Sequence, residues 1–436
     1  MVKMNVGIIG GSDGLRKTLV YYFKDEFNVF ITGYNPEKGK RVADELGANY
    51  IESNAGLANI SDILVISVPI QYTSEVIREV APFMKSGSLM VDVTSIKEEP
   101  SKSMAESWPE TVEYIPTHPV FGPRTTRLDN QVIVLTADKK GKWYPKVYNY
   151  LASKNLRIIE TTAENHDFMM SIVQVLTHFS FISAASAIEK LSVDISETED
   201  YESPIYNLMI DLIARIVSQN PYLTYNIQSR NNFGPKVRNA LADAVIELRD
   251  VINKGDEDEF IDIAIRATKH MGDIKNALGR SDKAISALSY EYTYLNNQIG
   301  QEVGLKHIYS GKIHVGILES IDGKTAVLKD GNKIKNLRIA NIRILLPAEL
   351  YQWKLENLNR KTESISCVFP KNVHVETIEN TVMNIANLIE IRLTDAYTGP
   401  QIDEKFISLT FEVTALYKED IEKVKELFTG FGGIIR

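Results

Sequence analysis

The chain has 436 residues, enough for two to four domains. It is 44% apolar and 24% charged, with 57 acidic against 49 basic residues and a net charge of −8, which excludes a disordered or collagen-like chain and argues against a general nucleic-acid binder. Its one cysteine, Cys367, excludes an internal disulfide framework and a thiolate metal cluster, and suits a reducing, cytoplasmic setting.

The first 160 residues alternate strand and helix. Apolar runs at 5–9, 29–32, 63–68, 89–93 and 132–135 predict buried parallel strands. Helices are expected at 15–23 and at 36–46, where Pro36 suits a first turn. This rhythm predicts an α/β Rossmann domain over 1–160. Val6-Gly7-Ile8-Ile9 is too short for a signal-peptide core. The longest apolar stretch, 179–188, is cut by His178 and Glu189 and falls short of a bilayer span, so no membrane partner is expected. Long helical patterns at 169–191, 204–217 and 237–252 predict an all-helical domain over 161–300. Short β-branched runs separated by Asp322-Gly323 and Asp330-Gly331 predict a small β-rich module over 301–362, closed by a helix at 349–361. Residues 363–436 read as strand (364–368), helix (375–388), strand (389–394), strand (406–413), helix (418–428) and strand (433–435), a ferredoxin-like α+β order.

After the first strand, Gly10-Gly11-Ser12-Asp13-Gly14 forms a candidate pyrophosphate loop. Glycines let the backbone approach phosphates, and the following helix N-terminus supplies free N–H groups. In the G-x-G-x-x-G register from Gly11, Asp13 and Arg16 replace the second and third glycines, and the Asp13 carboxylate must point away from a pyrophosphate. The second strand ends Thr32-Gly33-Tyr34-Asn35-Pro36, with no acid for the ribose hydroxyls. Thr32, Tyr34, Asn35 and Lys38 instead favour a 2′-phosphate, hence NADP over NAD. Val68-Pro69 fits a loop on the nicotinamide side.

Three segments carry candidate chemistry: 91–97, 117–123 and 174–179. His118 is the acid/base candidate, because an imidazole exchanges a proton near neutral pH and Pro119, Gly122 and Pro123 would fix its loop. Ser95 and Lys97 end a strand, where a helix cap and a solvated charge are the plain alternatives. His178 has apolar helical neighbours and reads equally as a core histidine. Cys367 reads as a small buried hydrophobe.

Together these motifs resemble the prephenate dehydrogenase (TyrA) family, in its archaeal-like form with C-terminal extensions. The resemblance rests on Asp92-x-x-Ser95-x-Lys97, then His118-Pro119-Val120-Phe121-Gly122-Pro123 with Val120 in a methionine place. It continues in Gln174-x-Leu176-x-His178-Phe179 and in Arg215 ahead of Asn220-Pro221, and covers roughly residues 4–290. It implies oxidative decarboxylation of prephenate, with hydride passing to NAD or NADP. His118 would take the hydroxyl proton, Arg215 would bind a carboxylate, and Ser95 would hydrogen-bond near hydroxyl and nicotinamide. Lys97 and His178 would shape the pocket electrostatically, and the helical domain would form a homodimer. Thr224-Tyr225 departs from relatives that carry an aromatic one place earlier, which leaves arogenate open as substrate. A catalytically inactive regulator binding an aromatic metabolite stays open too. So does an NADP-dependent reductase of imines or β-hydroxyacids, which would use a lysine or aspartate of the helical domain in place of His118.

The run 393–399 and the ending Gly432-Gly433-Ile434-Ile435-Arg436 are similar to the ferredoxin-fold anticodon-binding domain of phenylalanyl-tRNA synthetase β chains. Net acidity argues against a transferred RNA role. The expectation is an ACT-like domain that binds tyrosine as effector or makes a subunit contact.

Overall fold

A computed structural model describes residues 3–10, 15–107, 109–125, 127–198 and 200–436. The chain divides into two compact units, Met1–Ile274 and Lys275–Arg436.

The first unit opens with β1 (Asn5–Gly10), α1 (Leu15–Phe23), β2 (Asn28–Thr32), α2 (Pro36–Leu46), β3 (Asn49–Tyr50) and α3 (Asn54–Ile60). It continues with β4 (Ile63–Ser67), α4 (Ile70–Val80), β5 (Leu89–Asp92), α5 (Glu98–Ser107), β6 (Glu113–Pro119), β7 (Val132–Leu135), α6 (Tyr144–Ser153) and β8 (Arg157–Glu160). The eight strands lie in the order β3-β2-β1-β4-β5-β6-β7-β8. All neighbours are parallel except β6 and β7. Helices cover both faces, so both faces of the central strands are apolar. Val6, Ile8, Ile31 and Val65 pack on one side, and Leu64, Ile66, Ile77 and Met90 on the other. Each such side chain contributes about 1.5–3 kcal/mol by leaving water.

The sheet is built outward in both directions from β1 and β4, which makes their carboxyl ends the switch point where such sheets bind ligands. Gly10 ends β1 at φ +151, and a Cβ there would lie 1.9 Å from the Ser67 carbonyl oxygen. Only glycine permits that approach.

His118 was expected on a loop, but the structure places it on β6. Tyr114 to Pro119 are all buried. Pro116 and Pro119 obscure the strand in the sequence because proline cannot donate to a ladder. Their neighbours compensate: the Pro116 carbonyl accepts from Thr136 N (3.0 Å), and Thr117 N donates to Asp92 Oδ1 (3.2 Å).

One helical run follows, made of α7 (Ala163–Met170), a π turn (Ser171–Leu176) and α8 (Thr177–Lys190). Among the described residues it is the run long and apolar enough to cross a membrane by length and composition, with 17% of its most apolar window buried. This corrects the reading of 179–188 as too short: Gln174, Thr177 and His178 interrupt the apolar sequence without interrupting the helix. Next come α9 (Pro204–Val217), α10 (Pro221–Arg230), α11 (Gly234–Lys254) and α12 (Glu257–His270), and α13 (Ile274–Asn296) opens the second unit rather than closing the helical domain expected to run to 300. Ser203, Asn220 and Asp256 cap α9, α10 and α12 with their side chains.

In the second unit, β9 (Glu302–His307), β10 (Ile313–Ile321), β11 (Thr325–Asp330), β12 (Lys333–Arg338) and β13 (Ile342–Ile344) form an antiparallel sheet in the order β12-β11-β10-β9-β13. Then come α14 (Pro347–Asn357), β14 (Lys361–Pro370), α15 (Val375–Val382), β15 (Leu388–Tyr397), β16 (Phe406–Ala415), α16 (Lys418–Gly430) and β17 (Ile434–Ile435). The second sheet runs β15-β16-β14-β17 over a core of Cys367, Phe369, Phe411 and Phe428. α14 stops at Asn357 rather than 361, and α15 at Val382 rather than 388. Asn387 turns the chain into β15 in the left-handed region, at φ +64.

Lys354 of α14, 5% exposed, joins the two sheets: it pairs with Glu302 of β9 and donates to Asn387 Oδ1 (3.0 Å). Lys354→Met leaves Glu302 without its cation, and the expected cost is on the order of 2 kcal/mol. Hydrogen exchange of the β9 and β15 amides measures this as lost protection; unchanged protection would show the pair to be dispensable.

Candidate active site

The site assembles where the carboxyl ends of β5 and β6 meet the run from α7 to α8. Asp92, the last residue of β5, is fully buried, as is Lys97. Lys97 Nζ pairs with Asp92 and donates to Thr94 Oγ1 (3.2 Å) and to the Thr117 carbonyl (2.6 Å). All three of its donor directions are used inside the protein. Lys97 therefore stitches β5 to β6 next to His118 and offers the site its field. Burial pulls its pKa down, opposed by the Asp92 charge. Ser95, two residues before it, is partly exposed, and its hydroxyl has no partner among the described residues.

His118 is 2% exposed. Its Nδ1 lies 2.8 Å from His166 Nε2, and His166 Nδ1 lies 2.7 Å from Asp167 Oδ1. Asp167 Oδ1 also accepts from Lys97 N (2.7 Å), and Oδ2 accepts from Glu98 N (3.0 Å). Asp167 thus caps α5 from another element, where an anion is favoured. Asn231 Nδ2 holds the Asp167 carbonyl (2.7 Å). Burial holds His118 well below the usual imidazole pKa, helped by His166 and by the Lys97 charge. Burial also lowers His166, against the pull of Asp167. Sequence reasoning missed His166 and Asp167. Their one signal was an adjacent His-Asp pair entering the helix that carries Gln174.

The π turn gives the helix an extra residue where it faces His118. Such turns mark functional positions because they free backbone groups and re-aim side chains. Here Gln228 Nε2 takes up the Val175 carbonyl (2.8 Å). Gln174 Nε2 is 3.4 Å from His118 Nε2. Gln174 Oε1 and, one turn on, His178 Nδ1 are buried and lack partners. Unsatisfied buried acceptors and donors are costly and suit a polar ligand. Burial lowers the His178 pKa. Arg215 is exposed in the last turn of α9, and its guanidinium pairs with no described residue. Arg230, by contrast, is committed to Glu99 (3.0 Å), and Arg238 to the Gln228 carbonyl (2.5 Å). The structure brings His118, Lys97 and Gln174 together; neither His178 nor Arg215 hydrogen-bonds to His118.

On the nucleotide side, Gly11, Ser12, Asp13 and Gly14 lie outside the described residues, as does the Arg16 side chain. Gly10 is described, and with Val68-Pro69 it forms the rim at the switch point. Gly10 lets β1 end hard against the Ser67 backbone of β4, and α4 begins after Pro69 without a side-chain cap, so its first N–H groups have no side-chain acceptor. These features fit a dinucleotide. Thr32 is buried and Tyr34 fully exposed. Asn35 has a structural task, since its Oδ1 accepts from Lys38 N (2.9 Å) and caps α2.

The family model described as "Prephenate dehydrogenase, nucleotide-binding domain" matches residues 22–160, and "Prephenate dehydrogenase, dimerization domain" matches 162–264. A Methanocaldococcus jannaschii protein described as "Probable arogenate/prephenate dehydrogenase" is 39% identical over 98% of this chain and 96% of its own length. A Haemophilus influenzae "T-protein" is 28% identical over 50% of this chain and 57% of its own. Among solved structures, an Aquifex aeolicus prephenate dehydrogenase in complex with hydroxyphenyl propionate and NAD+ covers 63% of this chain and 99% of its own. Its TM-score is 0.51 and its identity 16%, a likeness of fold.

The burial of the two histidines has a measurable consequence. In an NMR titration of the full chain, His118 and His178 are expected to stay neutral down through pH 6.5, the ordinary imidazole value, and to protonate only below it. Titration at or above 6.5 would contradict the buried, neutral site.

Proposed function

Because the chain belongs to the prephenate dehydrogenase family of NAD(P)-dependent oxidoreductases, we propose that it converts prephenate to 4-hydroxyphenylpyruvate by oxidative decarboxylation. One observation carries this reading: a buried, neutral His118 at the carboxyl edge of the sheet, whose Nε2 faces Gln174 and the unpartnered polar atoms of the same helix.

A bound nicotinamide supplies the hydride acceptor. His118 Nε2 takes the proton of the substrate hydroxyl while the carbinol C–H leaves as hydride and the C–O bond becomes a carbonyl. The ring carboxylate then departs as carbon dioxide, and its bonding pair closes the aromatic ring and charges the oxygen. The proton on His118 returns to that oxygen, so the imidazole ends as it began. Ser95 hydrogen-bonds beside the reacting hydroxyl, and the Arg215 guanidinium holds a substrate carboxylate. Lys97 and His178 act through their fields.

The lack of an acid at the end of β2, with Tyr34, Asn35 and Lys38 alongside, supports NADP over NAD. Arogenate is the second reading, favoured by the name of the M. jannaschii relative. Exposed apolar side chains on the helices, among them Ile172, Ile205, Met209, Val245 and Ile265, support a homodimer through this region. The βαββαβ order of the C-terminal segment supports a ferredoxin-like, ACT-like domain with tyrosine as effector. The enzyme is read as cytoplasmic.

Absorbance of the reduced cofactor tests the reading: wild type with prephenate and NADP is expected to turn over. His118→Asn is expected to lower kcat at least 100-fold with KM nearly unchanged, and Arg215→Ala to raise KM about tenfold or more. An inert wild type with prephenate and arogenate, under either cofactor, would refute it; a full rate in His118→Asn would refute the role of His118.

A further inference from the structure

We propose that Asp167 and His166 are positioning residues that fix His118 as the Nδ1–H tautomer and so keep the Nε2 lone pair aimed at the substrate hydroxyl. The inference rests on the dehydrogenase reading and deepens it.

With both imidazoles neutral, as burial favours, the chain of contacts admits one proton arrangement. The Asp167 carboxylate already accepts two backbone N–H groups and can only accept from His166 Nδ1, 2.7 Å away. His166 therefore carries its proton on Nδ1 and presents Nε2 as an acceptor. His118 Nδ1, 2.8 Å from that Nε2, must be the donor. The opposite arrangement would set a bare Nδ1 of His166 against a carboxylate, acceptor against acceptor, in a site that is 1–2% exposed. Among the described residues, only Gln174 Nε2 meets the remaining nitrogen of His118, at a loose 3.4 Å that a substrate hydroxyl can displace. An imidazole must be in one particular tautomer to act as a base, and an oriented carboxylate enforces it.

The charged and titratable groups around His118 agree. His166 from α7 and Lys97 from the segment after β5 act on His118 directly, and Asp167 and Asp92 act on His166. As His118 accepts the substrate proton, its Nδ1–H shares the new charge along His166 toward Asp167, while Lys97 discourages protonation before substrate arrives.

Asp167→Asn removes the charge and one acceptor, so its single carboxamide oxygen cannot serve both backbone N–H groups and His166. The expected result is a kcat lower by about 100-fold with KM within threefold, together with a displaced acid limb of the kcat profile. Thermal unfolding and cofactor affinity of the variant separate this from loss of fold. A second pair guards the test: His166→Gln, whose carboxamide oxygen can still accept from His118 Nδ1, is expected to keep at least tenfold more kcat than His166→Ala. Nitrogen-15 spectra of the seven histidines in the wild-type chain read the tautomer without substrate. A proton on His118 Nε2, or a well-folded Asp167→Asn with kcat within threefold of wild type, would overturn the proposal. A wild type inert toward both substrates would instead defeat the dehydrogenase reading and leave the tautomer to the spectra.

Discussion

The Asp167 carboxylate is the joint on which the site is assembled. It sits in the second turn of the helical run, yet its oxygens satisfy the first N–H groups of α5 on the sheet domain. A helix begins with unpaired donors, and here they are capped by an acid that lies 70 and 69 residues away in sequence. The same carboxylate orients His166, and His166 meets His118. One side chain therefore docks two parts of the unit and fixes the geometry of an imidazole at their seam.

The surroundings explain why that imidazole stays neutral and in place. Burying an ion pair returns little net stability, because desolvation offsets most of the attraction. Asp92 and Lys97 are retained in full burial because their bonds to Thr94, Thr117 and each other lock the end of β5 to β6. Lys97 then adds a positive field that disfavours a second cation at His118. The π turn answers from the other side, placing Gln174 over the imidazole while Gln228 occupies the carbonyl that the turn releases.

Much of this architecture is legible in the sequence, because it follows from local periodicity. The helices at 15–23, 36–46 and 204–217 end where apolar spacing, a proline or a cap says they should. β6 was hidden by two prolines that have no N–H to donate, while the Pro116 carbonyl and the Thr117 N–H still bond to partners distant in sequence. The run Glu164-Asn165-His166-Asp167 looks like an ordinary polar helix opening, and its meaning comes from His118, 48 residues before His166. Lys97 stands out in sequence as a candidate with a solvated charge as the alternative; its full burial, paired with Asp92, is not legible there. Asn35 reads from the sequence as a cofactor contact, and the structure gives it a further task as the cap of α2. Helix ends near 357 and 382 were overrun because no glycine marks them: the chain leaves α14 through an extended Leu358, and Asn387 turns it into β15.

Neutron diffraction from crystals of the full chain near neutral pH reads the arrangement of these protons directly. The account expects deuterium on Nδ1 of His118 and on Nδ1 of His166, and a bare Nε2 on His118 facing the cleft. Deuterium on that Nε2 would contradict it, since the imidazole would then meet a substrate hydroxyl with nothing to accept its proton.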